Sequence, residues 1–135
     1  MKMGVLQGPI RSMTAAVEAL ADIQLDFEIS YRRVIDGCLD TGLPAAVCTI
    51  YNGRFEDPAF QRIASTILAV FNDAIIRVAV EHTLPVIDLR SVCCRAEDYA
   101  NPIEPSSIGG AKIARAIASL VTGSTAAPSS RIIVE

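Results

Sequence analysis

Two short, almost wholly apolar runs separated by one long amphipathic stretch constrain this chain more than any other feature. Ala45-Ala46-Val47-Cys48-Thr49-Ile50 lies between Pro44 and Asn52-Gly53, and Pro85-Val86-Ile87-Asp88-Leu89 follows Leu84. Continuous apolarity over so short a run suits a strand buried on both faces. Between the two runs, Asp57-Pro58 reads as N-cap and first helical residue. Phe60, Ile63, Ile67, Phe71, Ala74 and Val78 then continue at helical spacing to about His82. Strand, helix and strand in this order predict a right-handed parallel crossover, the unit from which α/β proteins are built.

The flanking segments read as helices. From Ser12 to about Leu39, the residues Met13, Val17, Leu20, Ile23, Phe27, Tyr31, Val34 and Cys38 form an apolar stripe, with Ser12 as N-cap and Thr41-Gly42 as the stop before Pro44. A last helix runs from Ser107 to Val121, with Ile108, Ile113, Ile117 and Leu120 on one side and Gly123 just beyond its end. Ser91 to Tyr99 reads as a short helix or an irregular loop. Residues 124–135 read as a flexible tail or, through Arg131-Ile132-Ile133-Val134, an edge strand. Parallel sheets in α/β layers usually hold roughly four to six strands. Two strands are too few, so the chain reads as the second part of a single domain whose sheet is completed elsewhere.

Charge excludes some functions. The 12 basic and 15 acidic residues are interspersed, without the basic cluster that neutralises phosphates, so nucleic acid is not an expected partner. Gly4 to Ile10 is short and interrupted by Gly8 and Pro9, unlike the apolar core of a signal peptide; with no other run of spanning length, the expectation is a cytoplasmic protein without a membrane partner. Cys38, Cys48, Cys93 and Cys94 lack metal-ligand spacing and read as buried free thiols, the adjacent pair Cys93-Cys94 also admitting a vicinal disulfide or redox sensor. No metal or organic cofactor is implied.

The polar residues that invite a chemical role lie after the strands and before the last helix. Tyr51-Asn52-Gly53-Arg54 and Arg90-Ser91 follow the carboxyl ends of the two runs, where open α/β sheets bind ligands. They shape a pocket or bind an acidic group of a substrate, or they are a turn and a solvated arginine. In Asn101-Pro102-Ile103-Glu104-Pro105-Ser106-Ser107-Ile108-Gly109-Gly110, two prolines fix φ around Ile103-Glu104, a serine caps the helix, and the glycines permit close backbone approach. His82, the single histidine, falls at a helix C-terminus, where a partly charged imidazole is favourable and no further role is required.

The order of these segments resembles the C-terminal half of the SGNH/GDSL hydrolases over most of residues 10–122. Pro44 to Asn52 is similar to that family's fourth strand and following loop, and Phe71-Asn72-Asp73-Ala74-Ile75-Ile76 to the next helix. Leu84 to Arg90 is similar to the fifth strand, and Asp98 to Ser106 to the loop carrying Asp-x-x-His. The resemblance implies a three-layer α/β/α, flavodoxin-like fold with a short parallel sheet, incomplete here, in which residues 1–123 form the C-terminal part. It also implies hydrolysis of small-molecule esters by a serine nucleophile. The family's nucleophile block Gly-Asp-Ser and oxyanion block Gly-x-Asn-Asp are absent from the 135 residues, and a full-length relative is expected to carry about three further strands before Met1. Aligned on Ile103 and Pro105, the family's Asp falls on Asn101 and its His on Glu104. These are the candidate catalytic positions, with Tyr51, Asn52 and Arg90 as candidate substrate-binding residues. To serve as a base near neutral pH, Glu104 needs a pKa raised by burial under its flanking prolines. The competing reading makes it an exposed carboxylate or a partner of the following helix N-terminus. A rival for the whole chain is a non-catalytic binding or assembly module that completes its sheet with a partner chain or a second copy.

Overall fold

The structure, a computed structural model, describes residues 12–123. The expected tail or edge strand at 124–135 and the segment before Ser12 lie outside those residues. Helix α1 spans Met13–Leu39 and helix α2 spans Pro58–Glu81. Each starts where its cap chemistry dictates: Ser12 Oγ accepts from the Ala15 amide at 3.1 Å, and Asp57 Oδ1 from the Ala59 amide at 2.9 Å, with Pro58 in the first turn.

The two helices pack along each other. Phe27 meets Phe71 edge to face at 5.0 Å, and Gln24 Nε2 donates to the Val70 carbonyl at 3.0 Å. Glu28 accepts from Arg32 and from Arg77, both at 2.8 Å, while Arg32 also reaches Glu81. Much of this network faces solvent, so it orders the pair more than it stabilises it. The core beneath is Ile35, Val47, Ile75, Val78 and Ala79, with Phe27, Tyr31, Leu39, Leu84 and Val86 packed against it.

Strands β1 (Val47–Cys48) and β2 (Val86–Ile87) pair in parallel, Val47 opposite Val86 and Cys48 opposite Ile87. The Val47 amide donates to the Pro85 carbonyl and the Thr49 amide to the Ile87 carbonyl, both at 3.0 Å. The crossover read from the sequence is present in reduced form, because side chains end the ladder. Asn72, buried in α2, donates from Nδ2 to the Ile50 carbonyl at 2.9 Å and accepts the Ile50 amide at 2.7 Å. Asp88 turns the chain after Ile87 into the short helix α3, Leu89–Val92, by accepting from the Arg90 amide. A 3₁₀ turn at Ala96–Asp98 follows, and then helix α4, Ser107–Thr122, which packs on α3 and on that turn. Gly123, at φ 64°, ends α4.

The three-layer α/β/α expectation is therefore corrected. The described residues are mostly helical, 66%, and among them the sheet has two strands. Val47 and Thr49 are buried while Ala46, Cys48 and Ile50 are exposed, so the sheet is covered on one face and not on two. The reason is one of width. Two strands lie about 4.8 Å apart and a helix with its side chains is about 10 Å across, so this ribbon offers too little surface to seat helix layers on both sides.

The apolar stripes shift as well. In α1 the inward position near the end is Ile35, 6% exposed, whereas Met13, Val17 and Val34 face outward. In α4 the buried position is Gly109, and Ile108, Ile117 and Leu120 are exposed. Contrary to the expectation from apolar run length, α2 is long and apolar enough to cross a membrane, with a mean hydropathy of 1.7 over its best window. Of its buried residues, Ile75, Val78 and Ala79 nonetheless sit in the core just described and Asn72 bonds the Ile50 backbone. Cys93 and Cys94 are both free thiols, and only Cys93 of the four cysteines is buried.

Candidate functional site

The carboxyl ends of β1 and β2 open onto three loops held together by a small number of polar bonds. Asp98 is the anchor. It is wholly buried, its Oδ1 accepts from Lys112 Nζ of α4 at 2.6 Å, and its Oδ2 accepts the amides of Cys94 and Arg95 at 3.1 and 2.9 Å. The Lys112 ammonium, followed by the backbone amides, holds the Asp98 carboxyl below the usual carboxylate range. Its own carbonyl accepts the Ser106 amide at 2.8 Å and lies where a Cβ on Gly109 would stand, so glycine is required there for α4 to approach. Ser106 Oγ caps α4 by accepting from the amides of Ile108 and Gly109 and donates to the Glu97 carbonyl.

Beyond this anchor the chain leaves and returns through a Tyr99–Pro105 bridge. Asn101 and Glu104, matched above to the family's Asp and His, sit together at its tip. Asn101 Oδ1 accepts the amides of Ile103 and Glu104 at 3.0 and 2.9 Å, and its Nδ2 donates to Glu104 Oε2 at 2.6 Å. The Ala100 amide closes the tip on the Glu104 carbonyl at 2.9 Å. Both side chains are exposed. Pro102 and Pro105 shape the loop without covering Glu104, so the expected burial of its carboxylate is absent. Ser106 occupies the cap of α4 in place of Glu104.

Tyr51 is brought to this loop. Its hydroxyl donates to the Ile103 carbonyl at 2.8 Å, and its ring meets Tyr99 at 5.8 Å. The Arg54 amide donates to the Pro102 carbonyl at 2.8 Å, while Gly53, at φ 70°, lies so close that a Cβ would stand 2.7 Å from that same carbonyl. Asn52 and Arg90 line a polar cleft of about 170 Å³, together with Arg54, Gln61, Cys94 and Tyr99. Asn101 and Glu104 do not line it. Arg90 is held by Asp88 through Nε and Nη2, both at 2.8 Å, and Thr49 Oγ1, just after β1, donates to Asp88 Oδ1, also at 2.8 Å. Arg90 first, and then the Thr49 and backbone donors, lower the Asp88 pKa from 3.8 to about 2 against the opposing effect of partial burial.

His82 is the C-cap residue of α2, its Nε2 3.8 Å from Asp36 Oδ1, at the opposite end of that helix from the β1 loop. Burial pushes the Cys93 thiol pKa up, which suits an unreactive core thiol. Among the described residues no group of three His, Cys, Asp or Glu side chains could hold a metal ion.

Asn72, Asp98 and Lys112 were missed as organising residues. Asn72 could have been found, since it stands three and seven positions before Ile75 and Ala79 on an otherwise apolar face. The Asp98–Lys112 pair has no local signal. No family model, curated protein or solved structure matches this chain.

Proposed function

We propose that this chain supplies the carboxyl-edge loops of an SGNH/GDSL-type ester hydrolase, the serine nucleophile and oxyanion donors coming from polypeptide outside the 135 residues. The observation that carries this reading is the joining of two loops. The segment after β1 is tied through Tyr51 and Arg54 to the Asn101–Pro105 tip, on which Asn101 and Glu104 are hydrogen-bonded to each other. In such a site Glu104 Oε1, which has no hydrogen-bond partner among the described residues, accepts the proton of the serine hydroxyl as that oxygen attacks the ester carbonyl. The proton then passes to the departing alcohol, and water releases the acid by the reverse transfers. Asn101 orients the carboxylate but adds no negative charge, unlike an aspartate behind an imidazole.

The test is to join the chain, by fusion or co-expression, to a polypeptide carrying Gly-Asp-Ser and Gly-x-Asn-Asp blocks and to measure hydrolysis of p-nitrophenyl acetate. Turnover is expected only in the joined form, with Glu104→Gln lowering it about 100-fold or more. Turnover unchanged by that substitution would end the role given to Glu104.

A second reading, the non-catalytic assembly module, is favoured by one specific observation. Met13, Val17, Ala21, Leu25 and Ile29 form an exposed apolar row at four-residue steps along α1, a ridge shaped to pack on another helix. Sedimentation of the purified chain as a folded monomer would count against it.

A further inference from the structure

The polar cleft beside β1 and β2 has a composition that the hydrolase reading does not by itself explain. Two arginines, Arg54 and Arg90, and two residues with side-chain amides, Asn52 and Gln61, line it, and no acidic residue among the described residues does. The two arginines differ in how they are held. Arg90 is fixed side-on against Asp88 through Nε and Nη2, which leaves Nη1 without a hydrogen-bond partner among the described residues. Arg54 is in no ion pair among those residues, and its position is set from the backbone, by the amide bond to Pro102 and the turn at Gly53. Gln61 is likewise fixed, its Oε1 accepting the Phe55 amide at 2.7 Å and its Nε2 donating to Ser65 Oγ.

A concave site with surplus N–H donors, one compensated cation and one uncompensated cation favours a small anion. With the Arg90 charge balanced by Asp88, the net charge presented is that of Arg54 alone, which matches a singly charged group. A carboxylate offers two acceptor oxygens to such donors, and the volume of about 170 Å³ suits a small molecule that carries one.

We infer that this cleft is a carboxylate subsite, held between the Arg54 and Arg90 guanidinium groups. The inference rests on the hydrolase reading only for its consequence, that the substrate class is an ester that also carries a free carboxylate. Binding itself belongs to this chain, without a nucleophile.

The experiment is a titration of the isotopically labelled, full 135-residue chain followed by NMR at fixed ionic strength. The probes are monomethyl succinate, its uncharged dimethyl ester and inorganic phosphate. Monomethyl succinate is expected to shift the amides of Asn52, Arg54 and Cys94 saturably, and the dimethyl ester to leave them unmoved. Arg54→Gln should weaken binding about tenfold or more, and Arg54→Lys, which keeps the charge, should weaken it less. Arg54 is exposed, so the spectrum away from the cleft should be unchanged in both variants. Equal response to the dimethyl ester, tighter binding of phosphate, or affinity unaffected by Arg54→Gln would each overturn the inference. Because no turnover is read, its failure leaves the proposed role of Glu104 standing, and failure of the Glu104→Gln test leaves the subsite standing.

Discussion

At the scale of single residues, buried and half-buried polar side chains decide where regular structure stops. Asn72 satisfies both backbone groups of Ile50, and a strand that the apolar run would carry to Ile50 ends at Cys48. Asp88 ends the other strand by accepting the Arg90 amide, and it also binds the Arg90 guanidinium. Its carboxyl has a depressed pKa in the folded chain, so its stabilising contribution is fully present above about pH 4 and is lost as pH falls from 3.8 toward 2. Denaturant unfolding at a series of pH values is expected to lose stability across that window less steeply in Asp88→Asn than in the wild type. The difference should shrink in 1 M salt, because the Asp88 side chain is 42% exposed. Equal slopes would mean that Arg90 does not hold Asp88 in solution. Both residues stand as single letters in apolar or strand-like surroundings, and their partners, 22 and 39 positions away, are visible only once the chain is folded.

At the scale of elements, helices were far more legible than strands. Ser12, Asp57-Pro58 and Gly123 mark ends of α1, α2 and α4 through local cap chemistry, a property of a few adjacent residues. The strands depend on what lies beside them, and the apolar runs overstated their length because apolarity records burial rather than pairing. The same distinction separates the two glycines of α4. Gly109 presses on the Asp98 carbonyl, while a Cβ on Gly110 would meet open space. Gly110→Ala is accordingly expected to stabilise the chain by up to about 1 kcal/mol through helix propensity. Gly109→Ala is expected to destabilise it by about 1–3 kcal/mol by forcing α4 off the Asp98 turn. Thermal denaturation of the two variants checks this pair, and equal effects would show that α4 does not dock there. The Asn101–Glu104 pairing belongs to this scale too: an asparagine followed by proline favours a turn, yet the exposure of Glu104 follows from the way the Tyr99–Pro105 bridge projects the tip outward.

At the scale of the whole molecule, apolar surface is left over. The row Met13, Val17, Ala21, Leu25 and Ile29 on α1 is exposed, and so are Phe60 and Ile63 beside an apolar depression on the first half of α2. Surface of this kind promotes association. The purified chain is therefore expected to sediment above its 14.4 kDa monomer mass, and Leu25→Glu with Ile29→Glu to return it to a monomer without loss of helical signal. A wild-type monomer would instead mean that the row is tolerated in water. The sequence by itself determined the helix spans and their caps, and the order of the two short runs on either side of α2, because capping and periodicity are local. Tertiary structure alone decided that the sheet is two strands covered on one face, that Ile35 rather than Val34 turns inward, and that Glu104 lies in the open, because each depends on which distant groups occupy the neighbouring space.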